Sequence, residues 1–240
     1  MATGLINMIL IPLIVIALIP LLVLTINRLF LYLKFSKSRY GVVSGNNFLK
    51  VAFDKGNYGE FLTFTYLEKL SGDNKILTNI YLPKKDRTTT EIDLLMLSNT
   101  GIYVFESKNY SGWIFGDEKS KNWTQTLKGG KKNKFLNPIW QNKGHIKALQ
   151  KILADVDDNY FFSYIVFSER CEFKKVSVFG DNISVVKRNK LFDLLKEHIE
   201  NRPWVLTEKE LDRLFESLKK YTLVDMDTKL QHIESIKNKT

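Results

Sequence analysis

The alternation of apolar and polar positions divides the chain sharply near residue 40. Before it, Ile6 to Ile26 forms a predominantly apolar run without a charged side chain, longer than the ~20 residues needed to cross a bilayer core. Pro12 and Pro20 fall inside this run, and membrane-spanning helices tolerate proline better than soluble ones. Arg28, Lys34, Lys37 and Arg39 follow at once. By the positive-inside rule that side is cytoplasmic. A cleaved signal peptide fits poorly, because no Lys or Arg precedes the run and no small-x-small cleavage site follows it. The expectation is a single-pass cell-membrane protein with a cytoplasmic domain.

Residues 40–54 contain Gly41, Gly45, Asn46 and Asn47 and read as a short juxtamembrane linker. Tyr58, Phe61, Leu62, Thr65 and Tyr66 then fall on one face of a helix starting near Asn57, with Gly72 beyond its end. KILTNIYL (75–82), EIDLLMLS (91–98) and GIYVFESK (101–108) read as strands, the last two joined through Asn99 and Thr100. WIFG is a candidate short strand, and residues 117–136 form a polar, Lys-rich loop. A helix is predicted from Asn137 to Leu153, with Pro138 in its first turn. YFFSYIVF (160–167) and ISVVK (183–187) are further strands. Two helices close the chain, Leu191–Ile199 and one behind the capping-box pattern Thr207-Glu208-Lys209-Glu210; the last fifteen or so residues are polar and expected to be loosely held. The class is α/β, a mixed β-sheet flanked by helices and preceded by one transmembrane helix. The domains expected are an anchor at 1–39, a linker at 40–54, a main domain at 55–200 and a helical extension with a polar tail at 201–240.

The hairpin register follows from its turn. Centred between Asn99 and Thr100, it sets Leu97 opposite Ile102, Leu95 opposite Val104, Asp93 opposite Glu106 and Glu91 opposite Lys108. Side chains opposed in this way share a sheet face, with Cβ atoms roughly 4.5–5.5 Å apart. Four charged residues therefore gather at one end of a face otherwise filled by leucine, isoleucine and valine. The other face, Ile92, Leu94, Met96, Tyr103 and Phe105, is apolar too, so the hairpin is expected to be buried on both sides.

Composition narrows the chemistry. The chain has 240 residues and a net charge of +10. Four of those excess charges lie within residues 1–39, which leaves +6 for the remainder, compatible with a polyanionic partner or an anionic membrane surface. One cysteine, Cys171, excludes an intramolecular disulfide and every multi-cysteine zinc site. The histidines 145, 198 and 232 make no zinc-binding pattern.

Two carboxylates on one apolar floor repel each other, and one is driven toward protonation unless a cation intervenes. Mg²⁺ (or Mn²⁺) removes that conflict while keeping waters for a substrate phosphate. Lys108 is placed to orient or deprotonate such a water, or to stabilise developing negative charge. The plainer alternative is a structural ion-pair network, with Lys108 against Glu91.

Asp…Glu-x-Lys on a hairpin resembles the PD-(D/E)xK, restriction-endonuclease-like nucleases, and more specifically the NERD (nuclease-related) domain. The matching pieces are Gly56-x-x-Gly59-Glu60, Asn79, Glu91-Ile92-Asp93, Gly101 through Tyr110 with Gly112, Trp123, and NPIWQNKGH from Asn137 to His145. Glu91 stands where that family is expected to carry Gln, and Leu94 where His is common. The resemblance implies a restriction-endonuclease-like fold in which Asp93 and Glu106 bind metal with the Ser107 backbone carbonyl. Lys108 is then the catalytic lysine, Glu60 completes or buffers the metal site, and Gln141 projects toward the same centre.

Nucleic-acid contacts are expected from Lys128, Lys131, Lys132 and Lys134, with Trp123 stacking on a base and His145 as a structural or DNA-facing residue. The function expected is a metal-dependent nuclease acting on DNA, with RNA as the alternative substrate and defence against foreign DNA as a role. A catalytically inactive, membrane-tethered adaptor for nucleic acid or protein is the rival. The C-terminal helices are the candidate surface for a homo-oligomer or protein partner.

Overall fold

The computed structural model describes residues 2–84, 86 and 88–237. For 2–15, 17, 236 and 237 only the backbone is described, so most side chains of the apolar run and the end of the polar tail lie outside the described residues. Helix α1 spans Ala2–Lys37, about 54 Å at 1.5 Å per residue. Its described apolar side chains up to Phe30, Leu18 to Leu24 among them, are exposed. Among the described residues one helix, this one, is long and apolar enough to cross a membrane. Its C-terminal part joins the domain: Leu31 and Phe35 pack on the core, with the Phe35 ring 5.7 Å from that of Phe61.

Residues 40–54, expected as a short juxtamembrane linker, are largely helical. They fold as α2 (Tyr40–Ser44) and α3 (Phe48–Phe53). Gly45 ends α2 in the left-handed region (φ 69°), and Asn47 caps α3 by accepting the Lys50 amide. Tyr40 and Val51 are the buried anchors that hold this segment on the core. Asp54 then caps α4 (Lys55–Leu67) through the Asn57 amide, starting it two residues before the predicted Asn57.

Among the described residues, nine strands form two sheets. The first sheet contains β1 (Lys75–Pro83), β2 (Thr89–Ser98), β3 (Gly101–Lys108), β7 (Phe161–Phe167) and β9 (Ile183–Lys187), in the order β1-β2-β3-β7-β9. The meander β1–β3 is antiparallel, and β7 and β9 add in parallel. One face, with Leu94, Met96, Tyr103 and Phe105, packs on Phe61 and Phe64 of α4 and on Leu191 and Leu195 of α6 (Arg188–Asn201). The other face, with Leu95, Leu97, Ile102 and Val104, packs on α5 (Pro138–Ile152) and α7 (Glu208–Lys219). The hairpin is buried on both sides, as its two apolar faces require.

The second sheet is β4 (Gly112–Asp117), β5 (Asn122–Thr126), β6 (Lys132–Leu136) and β8 (Cys171–Ser177), in the order β6-β5-β4-β8. The segment expected to be a Lys-rich loop is thus largely a hairpin, β5–β6, turning at Gly129 and Gly130 with φ of 88° and 82°. Strand β6 alternates exposed and partly buried residues, so Lys132 and Lys134 face solvent. The capping box at Thr207 and Glu210 is present. The tail contains a further helix, α8 (Met226–Lys237), whose His232 is buried.

Candidate active site

The sheet opens where β2 carries its acidic residue. The β2–β3 ladder pairs Ser98 with Gly101, Leu97 with Ile102, Leu95 with Val104 and Leu94 with Phe105, then stops. The β1–β2 ladder skips the Asn79–Asp93 rung, and Asn79 adopts a positive φ of 51°. The expected register therefore holds from Leu94 to Ser98 and lapses before that stretch, where Ile92 turns to the face of Leu95 and Val104 instead of that of Leu94. Asp93 is instead fixed by its side chain: Oδ2 accepts the Ser107 amide at 2.9 Å. Its Oδ1 has no hydrogen-bond partner among the described residues.

Glu106 is 2% exposed and engaged at both oxygens. Lys108 Nζ donates to Oε1 at 2.6 Å, and His145 Nε2 lies 3.1 Å from Oε2. Lys108 also donates to Gln141 Oε1 at 3.0 Å, so α5 contributes Gln141 and, one turn later, His145. With Glu106 ionised, His145 Nε2 carries the proton. The Thr90 hydroxyl lies within hydrogen-bond distance of Nδ1, 2.8 Å away. Glu91 does not meet Lys108. It accepts the Tyr81 hydroxyl at 2.5 Å and lies 3.6 Å from His232 Nε2 of α8. The plainer reading of a Lys108–Glu91 pair is thereby excluded in this geometry.

Glu60, on α4, accepts a long 3.4 Å hydrogen bond from the Tyr40 hydroxyl, which in turn accepts from Asn46 at 3.2 Å. Glu60 touches neither Asp93 nor Glu106 through a hydrogen bond, yet its charge acts on Asp93 and the charge of Glu106 acts on it.

The electrostatics divide the carboxylates. Burial, then the charges of Glu106 and Glu60, push Asp93 well above the usual carboxylate range, with Lys108 and the Ser107 amide only partly opposing. Burial, then Glu91 and Asp54, raise Glu60 to about 8. Burial also opposes ionisation of Glu106, but Lys108 and His145 more than offset it and hold its pKa down to about 2. Burial alone would lower Lys108; Glu106 and Asp93 outweigh it and raise the amine above its ordinary 10.5. Lys108 is thus an ammonium here, suited to orienting a nucleophile and stabilising developing charge rather than to removing a proton.

Among the described residues, no group of three or more His, Cys, Asp and Glu side chains stands close enough to make a ready-built metal cage. Mg²⁺ asks for less, being held by one or two carboxylates plus water and substrate phosphate. Asp93, with a free oxygen and a surplus of negative charge around it, suits such an ion. The carboxylate oxygens and backbone carbonyl are donors of the kind Mg²⁺ or Mn²⁺ takes.

Two expected nucleic-acid contacts do not survive. Trp123 is 0% exposed, stacked on Phe167 with ring centroids 6.0 Å apart and planes 2° from parallel. It also covers Gly116, where a Cβ would lie 2.1 Å from the indole, so no base can reach it. His145 is buried behind Glu106 and positions that carboxylate instead of facing DNA. Lys128, Lys131, Lys132 and Lys134 are exposed together on the β5–β6 hairpin.

Three supporting residues stand outside the sequence-based expectations. Thr90, Tyr40 and Asn142 hold His145, Glu60 and the centre of β3 respectively, the last through Asn142 Nδ2 to the Val104 carbonyl at 2.9 Å. Regular alternation would put Thr90 on the face away from Glu106, and it reaches His145 only because the strand is irregular at Asp93, so none of the three carries a signal in the sequence.

The model of a family described as "Nuclease-related domain" matches residues 55–168. A Bacillus anthracis protein described as uncharacterized is 31% identical over 186 residues, covering 77% of this chain and 85% of the relative. The chain belongs to the nuclease-related domain (NERD) family. No solved structure matches it. The NERD match runs from the first residue of α4 to just past β7, so Glu60, Asp93, Glu106, Lys108, Gln141 and His145 all lie within it. Membership points to a nuclease-related function.

Proposed function

We propose that the chain is a membrane-anchored, Mg²⁺- or Mn²⁺-dependent nuclease that hydrolyses phosphodiester bonds of nucleic acid, DNA foremost, on the cytoplasmic face. The observation that carries this reading is the Glu106–Lys108–Gln141 contact beside Asp93, where an acidic pair, a fixed ammonium and an amide converge at an opening in the sheet. Asp93 and Glu106, with the Ser107 carbonyl, are the residues that would hold the metal, and Glu60 would adjust the charge around it. A metal held there would supply Lewis-acid polarisation of a phosphate oxygen and would make a nearby water easier to deprotonate. Lys108 orients the attacking water and offsets negative charge at the phosphate; Gln141 keeps its ammonium in place, and His145 keeps Glu106 in one orientation.

The anchor reading rests on the exposed apolar α1 and the basic residues at its C-terminal side. A site at the inner membrane face suits defence against incoming foreign DNA. The test is cleavage of linear and circular DNA and of RNA by the full chain in detergent micelles, with and without Mg²⁺, beside Asp93→Ala and Lys108→Ala. The full chain is needed because Leu31 and Phe35 of α1 pack against the core. Cleavage that survives both substitutions would refute the assignment.

A further inference from the structure

A cleft of about 340 Å³ lies where α1 meets the NERD domain, outside the candidate active site. Leu24, Arg28 and Leu31 of α1 form one wall, and Phe53, Lys55 and Arg170 form the other. Arg28 donates to the Ala52 carbonyl at 2.6 Å and lies over the Phe53 ring at 5.1 Å. Arg170 donates to Asn109 Oδ1 at 3.0 Å. Among the described residues, none of these three cations forms an ion pair. The one acid in the lining, Asp54, is engaged as the cap of α4, accepting from the Asn57 amide at 2.7 Å and its side-chain amide at 2.8 Å. Three cations thus face a cleft with a single carboxylate, Asp54, whose Oδ1 caps α4, which leaves a surplus of two positive charges in the lining.

The position of the cleft along α1 identifies what it suits. Arg28 is the first charged side chain after the apolar run ending at Ile26. For a helix crossing a bilayer through that run, Arg28 lies at headgroup level. Phe53, 77% exposed, stands at the same place with Leu24, an arrangement of aromatic and aliphatic surface beside basic groups that matches the boundary between headgroups and acyl chains.

We infer that this cleft binds the phosphate of an anionic phospholipid, with Arg28, Lys55 and Arg170 around the headgroup and Leu24, Leu31 and Phe53 against its acyl chains. The inference rests on the membrane-anchor reading above. It gives the anchor a consequence for the active site. Asn109, the residue after Lys108, joins Arg170 to the carbonyl of Lys55 through a 2.7 Å hydrogen bond. A lipid held there sets the height and tilt of the end of β3 above the bilayer. A nucleic-acid phosphate would use the same cations but has no use for the apolar wall.

The experiment is native mass spectrometry of the full chain in detergent micelles, titrated separately with phosphatidylglycerol, phosphatidylcholine, inorganic phosphate and a short single-stranded oligonucleotide. One phosphatidylglycerol is expected to bind at least about tenfold more tightly than phosphatidylcholine. Replacing Arg28, Lys55 and Arg170 by Gln removes the preference, and so in part does Lys55→Gln alone, an exposed change that disturbs no side-chain hydrogen bond. Equal retention of the two lipids, an undiminished preference in the triple variant, or displacement of the lipid by phosphate or oligonucleotide would overturn the inference. Alkaline extraction of cell membranes separates the two readings. Release of the chain refutes the anchor and the lipid site together, whereas retention without a phosphatidylglycerol preference refutes the lipid site alone.

Discussion

His145 Nε2 lies 3.1 Å from Glu106 Oε2, while Lys108 holds the other carboxylate oxygen. A side chain from α5 therefore fixes the orientation of a strand carboxylate that already carries an ammonium, and Thr90 fixes the ring in turn. Removal of such a supporting group typically costs about 10–100-fold in metal affinity or activity. His145→Ala is accordingly expected to weaken Mg²⁺ binding and turnover by that factor while leaving nucleic-acid binding intact. Calorimetric metal titration beside a cleavage assay checks this, and His145→Gln, which can still donate to Glu106, should recover part of the deficit.

Lys108→Gln keeps a hydrogen bond toward Glu106 but removes the charge. Turnover is expected to fall by about 10²–10⁴-fold, the range for loss of a positioned catalytic group, with little change in substrate affinity. Single-turnover kinetics at saturating enzyme separate the two effects.

The raised pKa of Glu60 gives a pH dependence with a definite sign. Its ordinary value is 4.5 and its folded value about 8. Between these, the unfolded chain has lost a proton that the folded chain retains, so stability falls as pH rises. Asp93, also raised, acts in the same direction. Without divalent ions the melting temperature should decline from about pH 5 to pH 8, and Glu60→Gln should flatten the decline. Mg²⁺ added at about pH 8 should restore stability by binding the folded state.

The β5–β6 hairpin separates binding from packing. Replacing Lys128, Lys131, Lys132 and Lys134 by Gln should weaken DNA binding and make it less salt-dependent, by up to about 0.9 in log–log slope for each phosphate no longer neutralised. Trp123→Ala should instead cost about 3–5 kcal/mol of stability, because the indole fills the space between Gly116 and Phe167. Filter binding across a salt series and thermal melting distinguish the two outcomes.

The apolar register of the β2–β3 hairpin is legible in the sequence because alternation and a two-residue turn determine it. Its end is not. The ladder lapses at Asp93 because Asn79, on the neighbouring strand, takes a left-handed backbone conformation, and nothing local to the hairpin records that. The convergence of Glu106, Lys108 and Gln141 follows from the family resemblance, not from spacing, since α5 begins only after three strands of the second sheet. Trp123 reads as a base-stacking residue because the lysines around it conceal the alternation of a strand: only one face of β5–β6 is wet. The polarity of the tail suggests a loose segment, yet His232 is buried against β2 through Thr89 at 2.9 Å. One buried contact outweighs the composition of the rest.

The central claim is that Asp93, Glu106 and Lys108 form a metal-dependent phosphodiesterase centre. The most direct measurement is cleavage of linear double-stranded DNA by the full chain in detergent, with Mg²⁺ or with EDTA, for the native chain, Asp93→Ala and Lys108→Gln. The account predicts cleavage with Mg²⁺ alone and a reduction of at least about 100-fold in each variant. Cleavage in EDTA, cleavage undiminished in both variants, or metal-independent binding of DNA and RNA without any turnover by the native chain would contradict it.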